Sequence, residues 1–244
     1  MKEITPQELA QLIKESQRAV ALTGAGISVE SGIPDFRSPG GLWERFNPME
    51  YAHIRAFRAH PAKVWQLLRE MDATITAARP NPAHLALAAL EAKGLLIGVI
   101  TQNVDNLHQA GGSKNVVEYH GNALRFVCLE CGRVFARESL DFAADPLYCA
   151  CGGLIKPDVV FFGESIPPAA QAAAQNLAAA CDLMLIIGTS GEVAPANFLP
   201  QIAKSNGAVI VENNLEPSHL TYTVTDHLLL GPAGKMWPQV LSSL

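Results

Sequence analysis

Residues 18–26, Arg18-Ala19-Val20-Ala21-Leu22-Thr23-Gly24-Ala25-Gly26, run from an apolar stretch into a glycine turn. A short continuous apolar run of this kind is typical of a strand that is buried on both faces of a parallel sheet. Glycines directly after such a strand let backbone N–H groups approach phosphate oxygens closely. The segment therefore predicts a central strand of a nucleotide-binding α/β protein.

Strands and helices alternate along the rest of the chain. Thr5-Pro6-Gln7-Glu8 forms a capping box with proline at the first helical position, which predicts an opening helix. Apolar runs predict further buried strands at 96–101, 183–188 and 208–212, and helical periodicity predicts helices at 81–93 and 168–180. This alternation predicts an α/β fold with a Rossmann-type, doubly wound parallel sheet.

Two stretches interrupt the alternation and predict a smaller inserted lobe. Residues 40–78 have helical periodicity after a Gly-Gly and proline-rich entrance, and residues 121–156 contain four cysteines. The expected division is a Rossmann-type nucleotide-binding domain at 1–39, 79–120 and 157–244, with the helical insertion and the cysteine module forming the small lobe.

The four cysteines have the spacing of a structural zinc site. Cys128 and Cys131 form a C-x-x-C pair, and Cys149 and Cys151 form a C-x-C pair, with Tyr148 where the commoner spacing needs a thiol. Four thiolates close the coordination shell of zinc, so the metal would brace the fold and take no part in catalysis. The alternative is a set of reduced thiols without metal. Cys181 lies in an apolar run and is interpreted as a small buried hydrophobe.

Composition limits the classes of function. The 244 residues are 49% hydrophobic and have a formal net charge of −5, which is enough for a sizeable core and argues against a nucleic-acid-binding protein. No apolar run is long enough to span a membrane, and no secretory signal opens the chain, so we expect a cytosolic protein without a membrane partner. The sequence leaves the oligomeric state open, and a monomer is compatible with it.

An ordinary dehydrogenase is disfavoured. A dinucleotide fingerprint needs a third glycine at position 29, which is Val29, and an acidic residue about twenty positions further on. A polar loop at 31–37 follows the glycine turn instead.

The motifs taken together resemble the sirtuin family of NAD-dependent protein deacylases. The resemblance spans most of the chain in the family's order. The segments that carry it are Gly24-Ala25-Gly26-Ile27-Ser28, Ser31-Gly32-Ile33-Pro34-Asp35-Phe36-Arg37, Thr101-Gln102-Asn103-Val104-Asp105, Leu107-His108, His120-Gly121, Val160-Phe161-Phe162-Gly163-Glu164, Gly188-Thr189-Ser190 and Val211-Glu212-x-Asn214.

The resemblance implies a cleft between the two lobes, which NAD and an acyl-lysine peptide enter from opposite sides, and one structural Zn²⁺ per chain. It implies that residues 36 and 37 lie on a loop that covers the nicotinamide. The cofactor-binding residues it implies are Gly24, Ala25, Gly26, Ser28, Asp35, Phe36, Arg37, Gln102, Asn103, Asp105, Gly188, Thr189, Ser190, Asn214 and Ala233.

The resemblance also implies the chemistry. Asn103 and Asp105 would orient the nicotinamide ribose, and the acyl-lysine oxygen would attack the sugar and release nicotinamide. His120 would act as general base on a ribose hydroxyl, which leads to the free lysine and 2′-O-acyl-ADP-ribose; a neutral imidazole suits this role. Of the other histidines, His84 and His108 are interpreted as packing or capping groups.

The peptide would add as a strand between two extended segments, since backbone pairing holds many sequences. Those segments are Val160, Phe161, Phe162, Gly163 and Glu164, and Gly191, Glu192 and Val193; the alternative for residues 159–162 is a buried strand.

The acyl pocket is predicted from an alignment on Trp65. Relatives that favour malonyl or succinyl groups carry Tyr-x-x-Arg where this chain has Leu68 and Met71. A buried acidic acyl group without an arginine costs several kcal/mol, so an apolar pocket for acetyl and longer aliphatic groups is expected. Arg69 is the nearest cation that could pair with an acidic acyl group.

Two other functions remain open from the sequence. One is protein mono-ADP-ribosyl transfer, in which a side chain captures the ribose. The other is a zinc-braced NAD-binding module without turnover. The presence of His120 and Asn103 favours deacylation.

Overall fold

The computed structural model describes residues 1–36, 41–142, 144 and 146–244. The strands in these ranges are β1 (Lys2–Glu3), β2 (Ala19–Thr23), β3 (Gly98–Thr101), β4 (Val116–Glu118), β5 (Gly121–Cys128), β6 (Val134–Ala136), β7 (Ile155–Val159), β8 (Leu183–Ile187), β9 (Val209–Asn214) and β10 (His227–Leu230).

The α-helices in the same ranges include the predicted ones. They are α1 (Pro6–Glu15), α2 (Leu42–Arg45), α3 (Pro48–Tyr51), α4 (Ile54–Ala59), α5 (Pro61–Ala77), α6 (Pro82–Ala92), α7 (Leu107–Ala110), α8 (Pro168–Ala180), α9 (Leu199–Ser205) and α10 (Ala233–Ser242). Helices α7, α9 and α10 are additional to those predicted.

The larger sheet has seven strands in the order β1-β10-β9-β8-β2-β3-β4, and every neighbouring pair is parallel. Every residue of β2 is buried, because β8 and β3 flank the strand and helices cover both faces of the sheet. The predicted α/β fold with a doubly wound parallel sheet is confirmed.

One hydrophobic cluster lies on each face of this sheet. Leu9 and Ile13 of α1, Leu87 of α6 and Trp237 of α10 belong to one cluster. Ala174 of α8 belongs to the other, with buried side chains from α9. Helices therefore cover both faces of the sheet, and the polar residues lie at the ends of its strands.

Helices α4 and α5 and an antiparallel sheet in the order β6-β5-β7 share a third cluster. Trp65 of α5 stacks on Phe126 of β5 with ring centroids 6.4 Å apart. The predicted helical stretch is divided into four helices. Pro48 begins α3 and Pro61 begins α5, whereas α4 begins after His53, whose side chain caps it. Residues 156 and 157 both lie within β7, and the division into two domains stays a prediction.

Local signals set the start of α1 as predicted, and the ends of several other elements shift by one or two residues. Thr5 and Glu8 form the reciprocal capping box of α1, with the Glu8 amide donating to Thr5 Oγ1 at 3.2 Å. The predicted strand at 208–212 extends to Asn214, because β10 continues the ladder and pairs Leu230 with Asn214. The predicted strand at 96–101 begins at Gly98.

No helix in the described part of the chain is both long and apolar enough to cross a membrane.

Candidate active site

A cavity of about 940 Å³ opens at the carboxyl ends of β2, β3, β8 and β9. This edge is where an open parallel sheet binds ligands. The predicted cofactor- and substrate-binding residues line the cavity with two exceptions. Gly191 is buried beside it and donates its amide to Thr189 Oγ1 at 3.4 Å, and Arg37 lies outside the described residues.

The glycine turn after β2 is pressed against the turn after β8. The Gly26 amide donates to the Gly188 carbonyl at 2.8 Å, and the Gly24 amide donates to Ile187 at 3.0 Å. A Cβ on Gly26 would lie 2.7 Å from the Gly188 Cα, so no side chain fits there. The close approach leaves bare backbone facing the cavity, as phosphate binding requires.

Asn103, Ser28 and Asp105 form one hydrogen-bonded group below the glycine turn. Asn103 Nδ2 donates to the Gly24 carbonyl at 3.0 Å and to Ser28 Oγ at 3.1 Å. Both amide hydrogens are thereby used, and Asn103 Oδ1 has no hydrogen-bond partner among the described residues. Because Asn103 lines the cavity, this oxygen is an acceptor available to a ligand hydroxyl.

Asp105 is buried, with 6% of its surface exposed. Its carboxylate accepts from Ser28 Oγ at 2.7 Å and from the Leu107 amide at 2.9 Å. Burial nevertheless raises the pKa of Asp105 above its usual value, because the two donors only partly offset the loss of solvation. Asp105 orients Ser28, and through it Asn103.

His120 follows β4 and has a fixed tautomer. Its Nδ1 lies 3.0 Å from the carbonyl oxygen of Gln102, and a carbonyl only accepts, so Nδ1 carries the proton and Nε2 has the free lone pair. Burial lowers the pKa of His120 below its usual value, and the Gln102 carbonyl opposes that shift. The imidazole is therefore neutral at neutral pH, and the residue lines the cavity.

His84 and His108 lie behind this group, with ring centroids 4.9 Å apart. The Asn81 amide donates to His84 Nδ1 at 3.3 Å and closes the capping box of α6, and His108 Nε2 lies 2.9 Å from Thr23 Oγ1. Both side chains are fully or almost fully buried. Their predicted packing and capping roles are confirmed.

This histidine pair should make the protein sensitive to acid. Burial lowers the pKa of His84 to about 4 and that of His108 to about 3, against about 6.5 in the unfolded chain. The unfolded state therefore binds protons first as the pH falls below 6.5. Each histidine should then cost up to about 1.4 kcal/mol of unfolding free energy per pH unit, measurable by urea unfolding between pH 7 and pH 4.5.

A His108→Gln variant isolates one histidine of the pair. Glutamine can still bond to Thr23 but does not titrate, so the variant should lose less stability per pH unit than the unchanged protein. Equal acid sensitivity of the two proteins would contradict the assignment of the effect to His108.

The predicted peptide-binding segment at 160–164 makes backbone hydrogen bonds to the turn after β4 and to the helical insertion. The Val160 amide donates to the His120 carbonyl at 2.9 Å, and the Phe162 amide donates to Ala52 at 2.9 Å. Phe161 is buried and packs edge-on against Phe57, whereas Phe162 is 41% exposed. Strand β7 ends at Val159, so the segment packs Phe161 inward without continuing the strand, and both aromatic residues line the cavity. Its binding of a peptide stays a prediction.

Trp43 is a cavity residue that the sequence analysis missed. Its ring lies 5.0 Å from Phe36 and 6.4 Å from Phe162 between centroids, and its amide donates to the Phe36 carbonyl at 3.0 Å. Trp43 lies in the four-residue helix α2, which is too short to give a periodic signal, but a large aromatic two residues after a Gly-Gly sequence could have suggested it.

The part of the cavity lined by α5 is apolar apart from Asp72, whose carboxylate is paired with Arg137. Leu68, Met71 and Ile75 of α5 line it. Arg69 points elsewhere, because its Nη2 donates to the Ala144 carbonyl at 2.7 Å and the residue is not among those that line the cavity.

The four predicted zinc ligands come together. The sulfur atoms of Cys128, Cys131, Cys149 and Cys151 all lie within 4.8 Å of one another, with 3.5 Å between Cys128 and Cys151 and 3.7 Å between Cys131 and Cys149. A tetrahedral site with bonds of 2.3 Å needs sulfurs about 3.8 Å apart. The cluster fits zinc, and the shortened C-x-C spacing reaches the same centre. Cys181 is buried away from it, as predicted.

The sequence pattern of the Sir2 family matches residues 24–195, which is more than half of the chain. An NAD-dependent protein deacylase 2 from Pyrobaculum aerophilum is 48% identical over 236 residues, which cover 97% of this chain and 94% of the relative. An NAD-dependent protein deacetylase from Thermodesulfovibrio yellowstonii is 45% identical, with 95% and 92% covered.

Solved structures agree with the sequence matches. A Sir2 homologue in complex with NAD superposes with a TM-score of 0.92 at 40% identity and covers 99% of this chain and 94% of its own. A Sir2 protein with a deacetylated p53 peptide and 3′-O-acetyl ADP-ribose superposes with a TM-score of 0.93 at 36% identity and covers 98% of both chains.

Proposed function

This chain belongs to the Sir2 family, and we propose that it is an NAD-dependent protein-lysine deacylase that releases nicotinamide and 2′-O-acyl-ADP-ribose. The observation that carries the proposal is His120, which lines the same cavity as the glycine turn and Asn103 and whose Nδ1 is held by the Gln102 carbonyl, leaving Nε2 as the free acceptor. NAD supplies the chemistry when bound, because its nicotinamide leaves as the acyl oxygen attacks the ribose.

The residues below the glycine turn would hold the sugar. Asn103 Oδ1 would accept from a ribose hydroxyl, because both hydrogens of its amide are already donated to Gly24 and Ser28. Ser28 and Asp105 keep that amide in place. A rigid acceptor of this kind orients the reacting carbon without reorganisation during the reaction.

His120 would take the proton from a second ribose hydroxyl at Nε2. Its Nδ1 proton stays on the Gln102 carbonyl, which holds the ring in one tautomer. The hydroxyl oxygen would then attack the acyl carbon, the carbon–nitrogen bond to lysine would break to release the free amine, and one water would open the resulting cyclic intermediate to 2′-O-acyl-ADP-ribose. The lowered pKa of His120 favours the neutral, proton-accepting form at cytosolic pH.

The acyl-lysine peptide would pair with the backbone of Val160–Glu164 and of residues 191–193. The Val160 amide donates to the His120 carbonyl, so a peptide bound along this segment would lie next to the proposed general base, His120. The sulfur cluster would hold Zn²⁺ as a structural ion, since four thiolates leave no open position.

The function is tested by incubating the protein with NAD and acetyl-lysine peptides. Nicotinamide and acylated ADP-ribose should form in equal amounts and should depend on the peptide. Transfer of ADP-ribose onto the peptide itself, seen as a mass increase, would support mono-ADP-ribosyl transfer instead. Failure to consume NAD beside any acylated peptide would overturn the proposal.

We expect acidic acyl groups to be poor substrates. The acyl end of the cavity presents Leu68 and Met71, and among the described residues that line the cavity there is no lysine or arginine. A succinyl carboxylate would be buried without a partner. Succinyl-lysine peptides should therefore react at least about 100-fold more slowly than acetyl-lysine peptides in kcat/KM.

The double variant Leu68→Tyr/Met71→Arg tests this directly, because it supplies an arginine and a phenol at the same positions. It should gain succinyl-lysine activity and lose activity on longer aliphatic acyl groups. Comparable rates for acetyl and succinyl peptides in the unchanged protein would rule out the apolar pocket as the selecting feature.

The cytosol is the proposed location. Thiols held at a zinc site persist in a reducing compartment, whereas oxidising compartments favour disulfides. The proposed partners are acylated proteins or peptides.

A further inference from the structure

Two polar residues flank His120 outside the catalytic cavity. Glu118 ends β4 two residues before it, and Asn122 lies two residues after it, near the start of β5. Neither is among the described residues that line the catalytic cavity. Glu118 instead lines a second cavity of about 870 Å³, whose walls come from β4, β5, β7 and α8. Any effect of these two side chains on the reaction must therefore pass through other residues.

The side chains of Glu118 and Asn122 close the turn that carries His120. Asn122 Nδ2 donates to Glu118 Oε1 at 2.6 Å, which joins the two residues across the turn. Gly121 within the turn has a φ of 83°, and a Cβ there would lie 2.0 Å from the Asp158 carbonyl oxygen, so only glycine fits. His120 therefore lies in the middle of a tight turn that a side-chain hydrogen bond closes.

Glu118 accepts from further donors on α7 and β5. Gln109 Nε2 donates to Oε1 at 2.7 Å, and Arg125 Nη2 donates to Oε2 at 2.7 Å. Arg125 Nε also donates to Asp158 of β7 at 3.3 Å. An ionised carboxylate can satisfy all the donors that converge on Glu118, because both of its oxygens accept. An amide in its place would turn an N–H group towards one of these donors and lose at least one bond.

The same network joins this turn to the loop that carries Asn103. Asn122 Nδ2 also donates to Asn106 Oδ1 at 2.9 Å, so both hydrogens of its amide are used. The Ala123 amide donates to the Val104 carbonyl at 2.8 Å. Bonds outside the cavity therefore connect the two segments from which the base and the ribose-orienting amide project.

We propose that Glu118 and Asn122 are positioning residues of the deacylation, which hold the His120 base at its working distance from the bound ribose. This inference rests on the proposed function. The Gln102 carbonyl fixes the tautomer of the imidazole, and the bond between Glu118 and Asn122 fixes the backbone that carries it. A small displacement of a positioned base lowers the rate strongly, because proton transfer requires hydrogen-bond distance.

Two rates separate the step that needs His120 from the step before it. In the proposed reaction nicotinamide leaves first, and this step can reverse: added nicotinamide displaces the acyl oxygen from the ribose carbon and returns NAD and the acylated peptide. Exchange of labelled nicotinamide into NAD therefore measures the step before the base acts, whereas formation of acylated ADP-ribose needs both steps. Partial unfolding would lower both rates in proportion, so their ratio reports the position of the base.

Glu118→Gln should lower the rate of acylated ADP-ribose formation at least about 10-fold and change nicotinamide exchange by less than about 2-fold. The first step is spared because Asn103 stays bonded to Gly24 and Ser28. The ratio of exchange to deacylation should therefore rise at least about 5-fold. Asn122→Ala opens the same turn from its other end and should raise the ratio as well, so it is decisive if Glu118→Gln does not fold.

Glu91→Gln is the matched control. Glu91 accepts from the amides of Lys114 and Asn115 at 2.9 Å and 2.7 Å, so it braces the segment before β4 rather than the turn after it. This variant should lose stability and keep the ratio of the unchanged protein.

An unaltered ratio in the folded variants at positions 118 and 122 would overturn the inference alone, as would an equal rise in Glu91→Gln. An unchanged protein that neither exchanges nicotinamide nor deacylates any peptide would sink the proposed function, and this inference with it.

Discussion

Replacement of His120 by alanine is expected to reduce NAD-dependent deacylation by at least 100-fold. The imidazole lines the cavity with a free Nε2, because Nδ1 is held by the Gln102 carbonyl. Removal of a positioned general base costs 10²-fold or more in rate. The rate of acylated ADP-ribose formation at saturating peptide and NAD is the measurement.

The matched control is His60→Ala, since His60 is exposed and its side chain makes no cap to α5; it should keep full activity. His120→Ala should keep its melting temperature and its affinity for NAD. In the unchanged protein the acid limb of the rate profile should lie below pH 6.5, because the pKa of His120 is lowered. A residual rate above about a tenth of the original would refute the base assignment.

Replacement of Cys128 by alanine is expected to remove the metal and to lower stability and activity together. Cys128 is buried and ends β5, and its sulfur lies 3.5 Å from that of Cys151. A structural zinc ion contributes folding free energy directly, so the melting temperature should fall by at least about 10 °C. Zinc content and thermal unfolding are measured on the same preparation.

Cys181→Ala serves as the matched control, because Cys181 is a buried cysteine outside the cluster. It should keep one zinc per chain and lose little stability. A Cys128→Ala protein that contains no zinc but melts at the original temperature would contradict a structural role for the metal.

Hydrophobic periodicity and capping signals predicted the central strand of the sheet and the helices beside it. The apolar run into Gly24 became the buried strand β2, and the helix at 168–180 has the predicted bounds. These elements follow from short-range periodicity and caps, which the sequence carries directly. The chain-terminal pieces β1, β10 and α10 were not predicted, because their place in the sheet depends on partners far away in the sequence.

The residue types in the motifs predicted which side chains form the site. They did not predict the contacts that orient those side chains. The resemblance predicted His120. It did not predict that the Gln102 carbonyl sets the tautomer of this histidine, because that carbonyl is a backbone group and the motif describes side chains only. Glu212 was quoted only within a motif. The residue is fully buried and accepts from the hydroxyls of Thr221 and Thr225, and an acidic residue in an apolar buried run is itself a signal of such a hydrogen-bonded network. Arg37 lies outside the described residues, so its role stays a prediction.

Strand β5 connects Gly121, the neighbour of the base, to Cys128 at the metal site. Eight extended residues with a bulge span about 20 Å, a separation at which ionic screening removes most of an ion's field. We therefore expect the charge of a bound zinc ion to have little effect on the reaction at the ribose. We expect the metal to influence turnover through the backbone, because β5 begins one residue after His120 and ends at a metal ligand.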